Sequence, residues 1–127
     1  MDGLYLYCIR EKTEGVETFS MKGIDGKGEV FTLTYREVGA VVSRVLLKEF
    51  QSEEIQRKAQ EDLSWIKEKA VAHERVIEEA MRKNGKFLSL IPMKFGTIFR
   101  DIASLEEYLN RDYFMSEGGL ERLRYRH

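Results

Sequence analysis

Residues 4–9 read LYLYCI, a run in which every side chain is aliphatic, aromatic or a thiol. A run of this composition without glycine or proline predicts a β-strand. Successive side chains of a strand point to opposite faces, so both faces of this strand are expected to be apolar. The expected faces are Leu4, Leu6 and Cys8 on one side, and Tyr5, Tyr7 and Ile9 on the other.

Three more strands are predicted along the chain. Val30–Tyr35 alternates apolar and polar residues, a short turn follows, and residues 40–45 (AVVSRV) form a second β-rich run. Two such runs joined by a short turn predict a β-hairpin. Residues 87–91 (FLSLI) predict the fourth strand.

Two helices are predicted between and after these strands. The first is one long helix that begins at Ser52 and ends before Asn84 and Gly85, which both tolerate the left-handed conformation. Its apolar residues recur in steps of three and four, as expected for one buried face. Ser104 opens a capping-box pattern, so the second helix is predicted from there to Met115. Gly118 and Gly119 should then break it, before a short basic tail, residues 120–127.

Adjacent strands with short connections favour an α+β fold. The sequence therefore predicts one domain over residues 1–127, with a mostly antiparallel four-stranded sheet and one long and one shorter helix packed on it. Helices on one face would leave the Tyr5 and Tyr7 face open, and an open apolar face usually marks a partner surface. The alternative is that the second helix or the tail covers this face.

The composition excludes several classes of protein. A formal net charge of −1 argues against a dedicated nucleic-acid binder. The single cysteine, Cys8, cannot form an internal disulfide, which indicates a reducing compartment. The N-terminus does not resemble a signal peptide, and no stretch is apolar enough to cross a bilayer. These features predict a soluble cytoplasmic protein without a membrane partner.

The stretch 89–99 (SLIPMKFGTIF) contains a lysine close to a glycine and a threonine. A phosphate-binding loop requires the lysine after the glycine, so this order does not fit that motif. A weaker anion site between Lys94 and the amides after Gly96 stays open as an alternative. The favoured interpretation is structural, because Pro92 ends a strand and Gly96 lets the chain turn.

Catalytic and metal sites have few candidate residues. His73 is the only histidine before the final residue, so with Cys8 it offers no metal-binding cluster and no cofactor site. A Cys8–His73 catalytic pair is conceivable, but a buried cysteine and a histidine hydrogen-bonded between helix and sheet are favoured. An enzymatic or small-ligand-binding domain remains an alternative. An RNA-binding module that stacks bases on Tyr5 and Tyr7 is less favoured, because a basic surrounding is missing.

Six short blocks stand out along the sequence: Tyr5-Leu6-Tyr7, Gly23-Ile24-Asp25-Gly26, Ala40-Val41-Val42-Ser43, Asp62-Leu63 with Trp65, Ala72-His73-Glu74-Arg75-Val76, and Ile91-Pro92-Met93-Lys94-Phe95-Gly96-Thr97. In their order and spacing these blocks resemble the gas vesicle accessory family GvpL/GvpF. Two departures stand out: Lys94 replaces a usual arginine, and Cys8 replaces a common glycine. A lysine keeps the charge but cannot make the bidentate contact of an arginine.

The resemblance implies a non-enzymatic accessory protein for gas vesicles, the hollow protein shells that give some bacteria and archaea buoyancy. It implies assistance in gas vesicle organisation and assembly through binding of the small hydrophobic shell subunit and other accessory proteins. It also implies a modified ferredoxin-like N-terminal domain in a cytoplasmic, gas-vesicle-associated protein, with the family's C-terminal domain absent from this chain. We expect Tyr5, Tyr7 and Lys94 to bind partners, and homo-oligomerisation stays open.

Overall fold

An antiparallel sheet with helices on both faces forms the part of the chain that the computed structural model describes, residues 1–12, 19–82 and 90–115. The elements in chain order are β1 (Asp2–Glu11), β2 (Val30–Tyr35), β3 (Val38–Leu46), α1 (Leu47–Phe50), α2 (Ser52–Glu61), α3 (Leu63–Arg82), β4 (Leu90–Pro92), β5 (Ile98–Phe99), α4 (Ile102–Asn110) and a π-helical turn (Arg111–Met115).

The sheet has the strand order β2-β3-β1-β4, and every pairing is antiparallel. Since β3 pairs along the whole length of β1, β4 and β5 share the opposite edge of β1. The two short strands are therefore one edge strand interrupted by residues 93–97. The predicted α+β fold with a mostly antiparallel sheet is confirmed, and so is the β2–β3 hairpin.

A β-bulge changes the alternation along β1. In the pairing with β3, Leu6 lies opposite Val42 and Cys8 lies opposite Val41, so Tyr7 is the extra residue. The bulge reverses the alternation, and Cys8 joins the Tyr5 side of the sheet. The prediction that Cys8 shares a face with Leu4 and Leu6 was wrong for this reason, since Ile9 occupies that face instead.

Both faces of the sheet are covered, so the open apolar face expected around Tyr5 and Tyr7 does not exist. Both tyrosines are 0% exposed, in a core formed with α3. The second helix covers the other face, where Leu105 and Leu109 of α4 belong to one buried cluster with Leu4 and Leu6. A strand that is apolar on both sides is thus the central element of a sandwiched sheet.

The predicted long helix is two helices, α2 and α3, separated at Asp62. Asp62 has non-helical backbone angles (φ −143°, ψ 79°), and its Oδ1 accepts from the amide of Trp65 at 3.1 Å. An aspartate that caps the next helix competes with helix continuation. The predicted apolar stripe is buried only in the second half of α3, because α2 has no buried residue and Leu63 is exposed.

The second helix begins earlier than predicted. Asp101, not Ser104, is its N-cap, and the Asp101 carboxylate accepts from the Ser104 amide at 2.8 Å. The contact lowers the pKa of Asp101. Several predicted features lie outside the described residues: the stop at Asn84 and Gly85, residues 87–89 of the fourth strand, the Gly118–Gly119 break and the tail.

Candidate functional site

The interruption of the edge strand creates a turn of fixed shape. Five residues, 93–97, lie opposite only two residues of β1, Leu6 and Tyr7. The turn is nevertheless tied to β1, because the Met93 amide donates to the Tyr7 carbonyl (2.9 Å) and the Leu6 amide donates to the Thr97 carbonyl (2.9 Å). We call residues 93–97 the edge turn.

A buried chain of hydrogen bonds links Gly96 and Met93, near the two ends of the edge turn, through Tyr5 and His73. The Gly96 amide donates to the Tyr5 hydroxyl (2.9 Å), and that hydroxyl lies 2.9 Å from His73 Nδ1. His73 Nε2 lies 2.9 Å from the Met93 carbonyl, which can only accept, so Nε2 carries the proton. The Tyr5 hydroxyl therefore donates to Nδ1, and the chain runs from Gly96 through β1 and α3 back to Met93.

Burial keeps this chain in its neutral form. His73 is 3% exposed, and desolvation lowers its pKa, although its bond to the Met93 carbonyl opposes the shift. Desolvation also raises the pKa of the Tyr5 hydroxyl, although the Gly96 amide opposes that shift. A neutral imidazole with one donor and one acceptor nitrogen fits its two partners without a buried charge.

The edge turn packs against the helices α2 and α3. Gly96 has a positive φ of 88°, and a Cβ at this position would lie 3.2 Å from Ile55 Cδ1 in α2. The Phe95 ring packs edge-on against both Tyr5 and His73, with centroids 6.4 and 6.0 Å apart. The backbone conformation thus favours glycine, and a side chain at this position would also crowd Ile55.

The Tyr5 contacts form a junction, in which a buried tyrosine hydroxyl ties a surface turn to another element of the fold. Tyr7 makes a second junction of this kind. Its hydroxyl accepts from the Ile24 amide (2.8 Å) and lies 2.7 Å from Ser43 Oγ of β3. Gly23 lies against this junction, since a Cβ there would be 2.5 Å from Ser43 Oγ. Desolvation raises the pKa of Tyr7 to about 12. Tyr7 therefore fixes the turn of residues 23–28, which precedes β2 and which we call the glycine-rich turn.

The two junctions bring together residues from distant parts of the chain: the strand tyrosines, the glycine-rich turn, β3, α3 and the edge turn. The family model described as gas vesicle synthesis protein GvpL/GvpF matches residues 3–127. The chain belongs to the GvpL/GvpF family.

The crystal structure of the gas vesicle protein GvpF from Anabaena sp. PCC7120 has the same fold as this GvpL/GvpF member, with a TM-score of 0.66 and 21% sequence identity. The match covers 95% of this chain and 41% of that chain, so the chain spans about two fifths of the length of that relative. No curated protein matches the chain in sequence.

The structure places the three predicted partner-binding residues of this family member in two different settings. Lys94 is exposed at the surface of the edge turn. Tyr5 and Tyr7 are buried directly beneath surface turns, so their rings can neither touch a protein partner nor stack on an RNA base. The amides near Lys94 are also engaged, since Gly96 donates to Tyr5 and the Thr97 amide donates to the Lys94 carbonyl at 3.2 Å. That leaves little support for the anion-site alternative.

The favoured interpretation of His73, a histidine hydrogen-bonded between helix and sheet, is confirmed. Both ring nitrogens have partners, so neither is available to activate the buried thiol of Cys8. Among residues 1–12, 19–82 and 90–115, no group of three or more His, Cys, Asp or Glu side chains has the arrangement of a metal site. No helix in this part of the chain is long and apolar enough to cross a membrane.

Sequence reasoning missed the two junctions, although each of their residues belongs to one of the family blocks. The signal that could have revealed them is co-occurrence, because short blocks far apart in sequence that recur together often meet in space. Hydroxyl groups on an otherwise apolar strand are a second signal, since buried hydroxyls need partners.

Proposed function

We propose that this protein is an accessory protein that assists gas vesicle assembly by binding the hydrophobic shell subunit and other accessory proteins. Membership of the GvpL/GvpF family is the observation that carries the proposal. The chain corresponds to about two fifths of the length of Anabaena GvpF, and that relative is described as a gas vesicle protein. The proposal places the protein in the cytoplasm, associated with gas vesicles.

We assign partner contact to the edge turn. Lys94 projects from it into solvent, and none of the ion pairs among the described residues involves Lys94. Pro92 beside it is also exposed, and Met93 and Phe95 are half-buried. Methionine and phenylalanine are enriched in protein-binding surfaces, and a charge beside them, here Lys94, contributes to partner choice and association rate.

In this proposal Tyr5 and Tyr7 act on partners indirectly. Tyr5 holds the edge turn through Gly96, and Tyr7 holds the glycine-rich turn through Ile24. A turn that is already ordered loses less conformational entropy when a partner binds. The role is binding rather than catalysis, and the engaged nitrogens of His73 support this.

Co-expression with the host's shell subunit tests the proposal. We expect the wild-type protein to retain the shell subunit in the soluble fraction and to co-purify with it. Lys94→Glu should reduce co-purification, because it reverses the charge at the contact, whereas Lys67→Glu on the exposed side of α3 serves as the matched control. Failure of the wild type to capture any gas vesicle protein would overturn the function. Equal capture by a folded Lys94→Glu variant would overturn the assignment of the surface.

A further inference from the structure

The two tyrosine junctions have the same architecture but differ in one partner. In each, a buried tyrosine hydroxyl of β1 accepts from an amide of a surface turn. At Tyr5 the amide is that of Gly96, and the third group is His73 Nδ1, 2.9 Å away. At Tyr7 the amide is that of Ile24, and the third group is a serine hydroxyl of β3, 2.7 Å away. A serine hydroxyl does not ionise between pH 5 and pH 8, whereas histidine does. Of the two junctions, the one at the edge turn is therefore the one that takes up a proton in acid.

A proton on His73 Nδ1 changes the bonds of the edge turn in opposite directions. In the neutral ring Nδ1 accepts from the Tyr5 hydroxyl, whose oxygen accepts from Gly96. In the imidazolium both ring nitrogens donate, so the Tyr5 oxygen faces two N–H donors and its own proton loses this acceptor. The bond from Nε2 to the Met93 carbonyl becomes charge-assisted and stronger. Protonation therefore destabilises the contact to Gly96 and strengthens the contact to Met93.

The Gly96 contact is the one that opens under this conflict. Tyr5 and His73 are 0% and 3% exposed, whereas Gly96 is half-buried and lies in a surface turn. A released amide at the surface is hydrated by water, while a polar group without a partner in the interior is costly. The edge turn can thus detach at Gly96 while the buried pair and the Met93 contact stay in place.

The charged and titratable groups that face His73 decide when it takes up the proton. From β1 it faces Tyr5 and Tyr7, with ring centroids 5.6 and 5.8 Å away, and burial raises the pKa of both hydroxyls. The adjoining core contains the Cys8 thiol, and the one charged side chain of the edge turn, its lysine, is exposed. On its own helix Glu74 attracts the imidazolium, which opposes the larger effect of burial, a lowered pKa of His73. The ring is therefore neutral at pH 7 and takes up its proton in acid.

We propose that His73 is a pH switch for the edge turn: in acid it releases Gly96, and the released turn binds its partner less tightly. A turn that has lost one of its anchors pays a larger entropy cost when a partner orders it. The inference rests on the proposed function, because the bound partner is the shell subunit of that proposal. Binding is then strongest in neutral solution and weakens in acid.

Amide hydrogen exchange of the protein alone, followed by NMR at pH 7.5 and pH 5, tests the release. The protection factor corrects for the intrinsic pH dependence of exchange, and the Ile24 amide of the other junction is the internal control. We expect the protection of Gly96 to fall about tenfold in acid, as for the loss of one hydrogen bond, and that of Ile24 to stay constant. This comparison needs no substitution. Constant protection of Gly96, an equal fall at Ile24, or a His73 ring that stays neutral at pH 5 by its nitrogen chemical shifts would overturn the switch.

His73→Gln is the matched variant, because glutamine keeps one donor and one acceptor but takes up no proton. Its Gly96 protection should be equal at both pH values. The link to binding is tested by washing the co-purified shell complex at pH 7.5 and at pH 5. The wild type should release several-fold more shell subunit at pH 5 than the variant does, and equal release would overturn the link.

The exchange measurement contains no partner, so its outcome is independent of shell capture. Opening of Gly96 in acid without any shell capture would refute the proposed function and keep the switch. Shell capture with a Gly96 amide that stays protected in acid would do the reverse.

Discussion

The hydroxyl of Tyr5 and Nδ1 of His73 lie 2.9 Å apart, and this buried contact joins a strand and a helix separated by 68 residues. The same two side chains also bond the backbone of the edge turn, at Gly96 and at Met93. The interior of the protein therefore determines the conformation of a surface turn.

Tyr5→Phe should reduce the free energy of unfolding by about 2 kcal/mol, because it leaves a buried imidazole nitrogen and a partly buried amide without partners. Urea denaturation measures this loss. Tyr108→Phe is the matched control, since Tyr108 is half-buried and its hydroxyl makes, among the described residues, one long contact of 3.8 Å to the Met93 sulfur. Equal losses in the two variants would contradict the account.

The stability of the protein should fall as the pH falls below about 6.5, because burial lowers the pKa of His73 in the folded state. Just below that pH His73 is protonated in the unfolded chain but stays neutral in the folded protein, so the free energy of unfolding falls. The slope should reach at most about 1.4 kcal/mol per pH unit. Above the unfolded pKa the contribution is complete and constant.

The His73→Gln variant isolates this pH effect, because glutamine keeps one donor and one acceptor but cannot ionise. Urea denaturation between pH 5 and pH 8 should give a flatter profile for the variant than for the wild type. His127 is present in both proteins and cancels in the comparison. Parallel profiles would show that the imidazole is not held neutral.

Gly96→Ala should destabilise the protein more than Gly26→Ala. Both glycines have positive φ, 88° and 77°, so each substitution has a backbone cost of about 1 kcal/mol. Only at Gly96 does the new methyl meet another side chain, Ile55 Cδ1 at 3.2 Å. Ile55→Val removes that atom and should recover part of the difference in urea denaturation. A larger loss at Gly26 would be inconsistent with α2 packing on the edge turn.

Asp62→Ala tests whether α2 and α3 are separate helices, because the two possibilities change the free energy of unfolding in opposite directions. A cap residue lost from the start of α3 should lower the free energy of unfolding by about 1 kcal/mol. If one continuous helix ran through this point, alanine would instead stabilise it by several tenths of a kcal/mol. Gln60→Ala, at an exposed position of α2, is the control in the same denaturation experiment.

Strand composition and helical periodicity predicted the α+β fold and the hairpin, because these patterns reflect burial directly. They could not predict the bulge at Tyr7, since an extra residue in one strand leaves no mark on composition. The bulge moved Cys8 and Ile9 to unexpected faces. Asp62 was read as part of a helix because a cap and a solvent-facing helical aspartate look alike in sequence.

The candidate site was predicted in part. Lys94 was expected at the surface and lies there, but Tyr5 and Tyr7 were expected to be accessible and are the most deeply buried residues of the site. An apolar strand does not by itself show how many layers cover it. Here α3 covers the tyrosine face and α4 covers the opposite face, and only the three-dimensional packing decides this arrangement.

The most direct test of the central claim is shell-subunit capture by Tyr5→Phe, a buried change that no partner can touch. If the Tyr5–His73 contact shapes the edge turn for binding, the folded variant should retain clearly less shell subunit than the wild type in the co-expression assay. The Tyr108→Phe variant should retain as much as the wild type. Undiminished capture by folded Tyr5→Phe would contradict the claim that this buried pair prepares the partner surface.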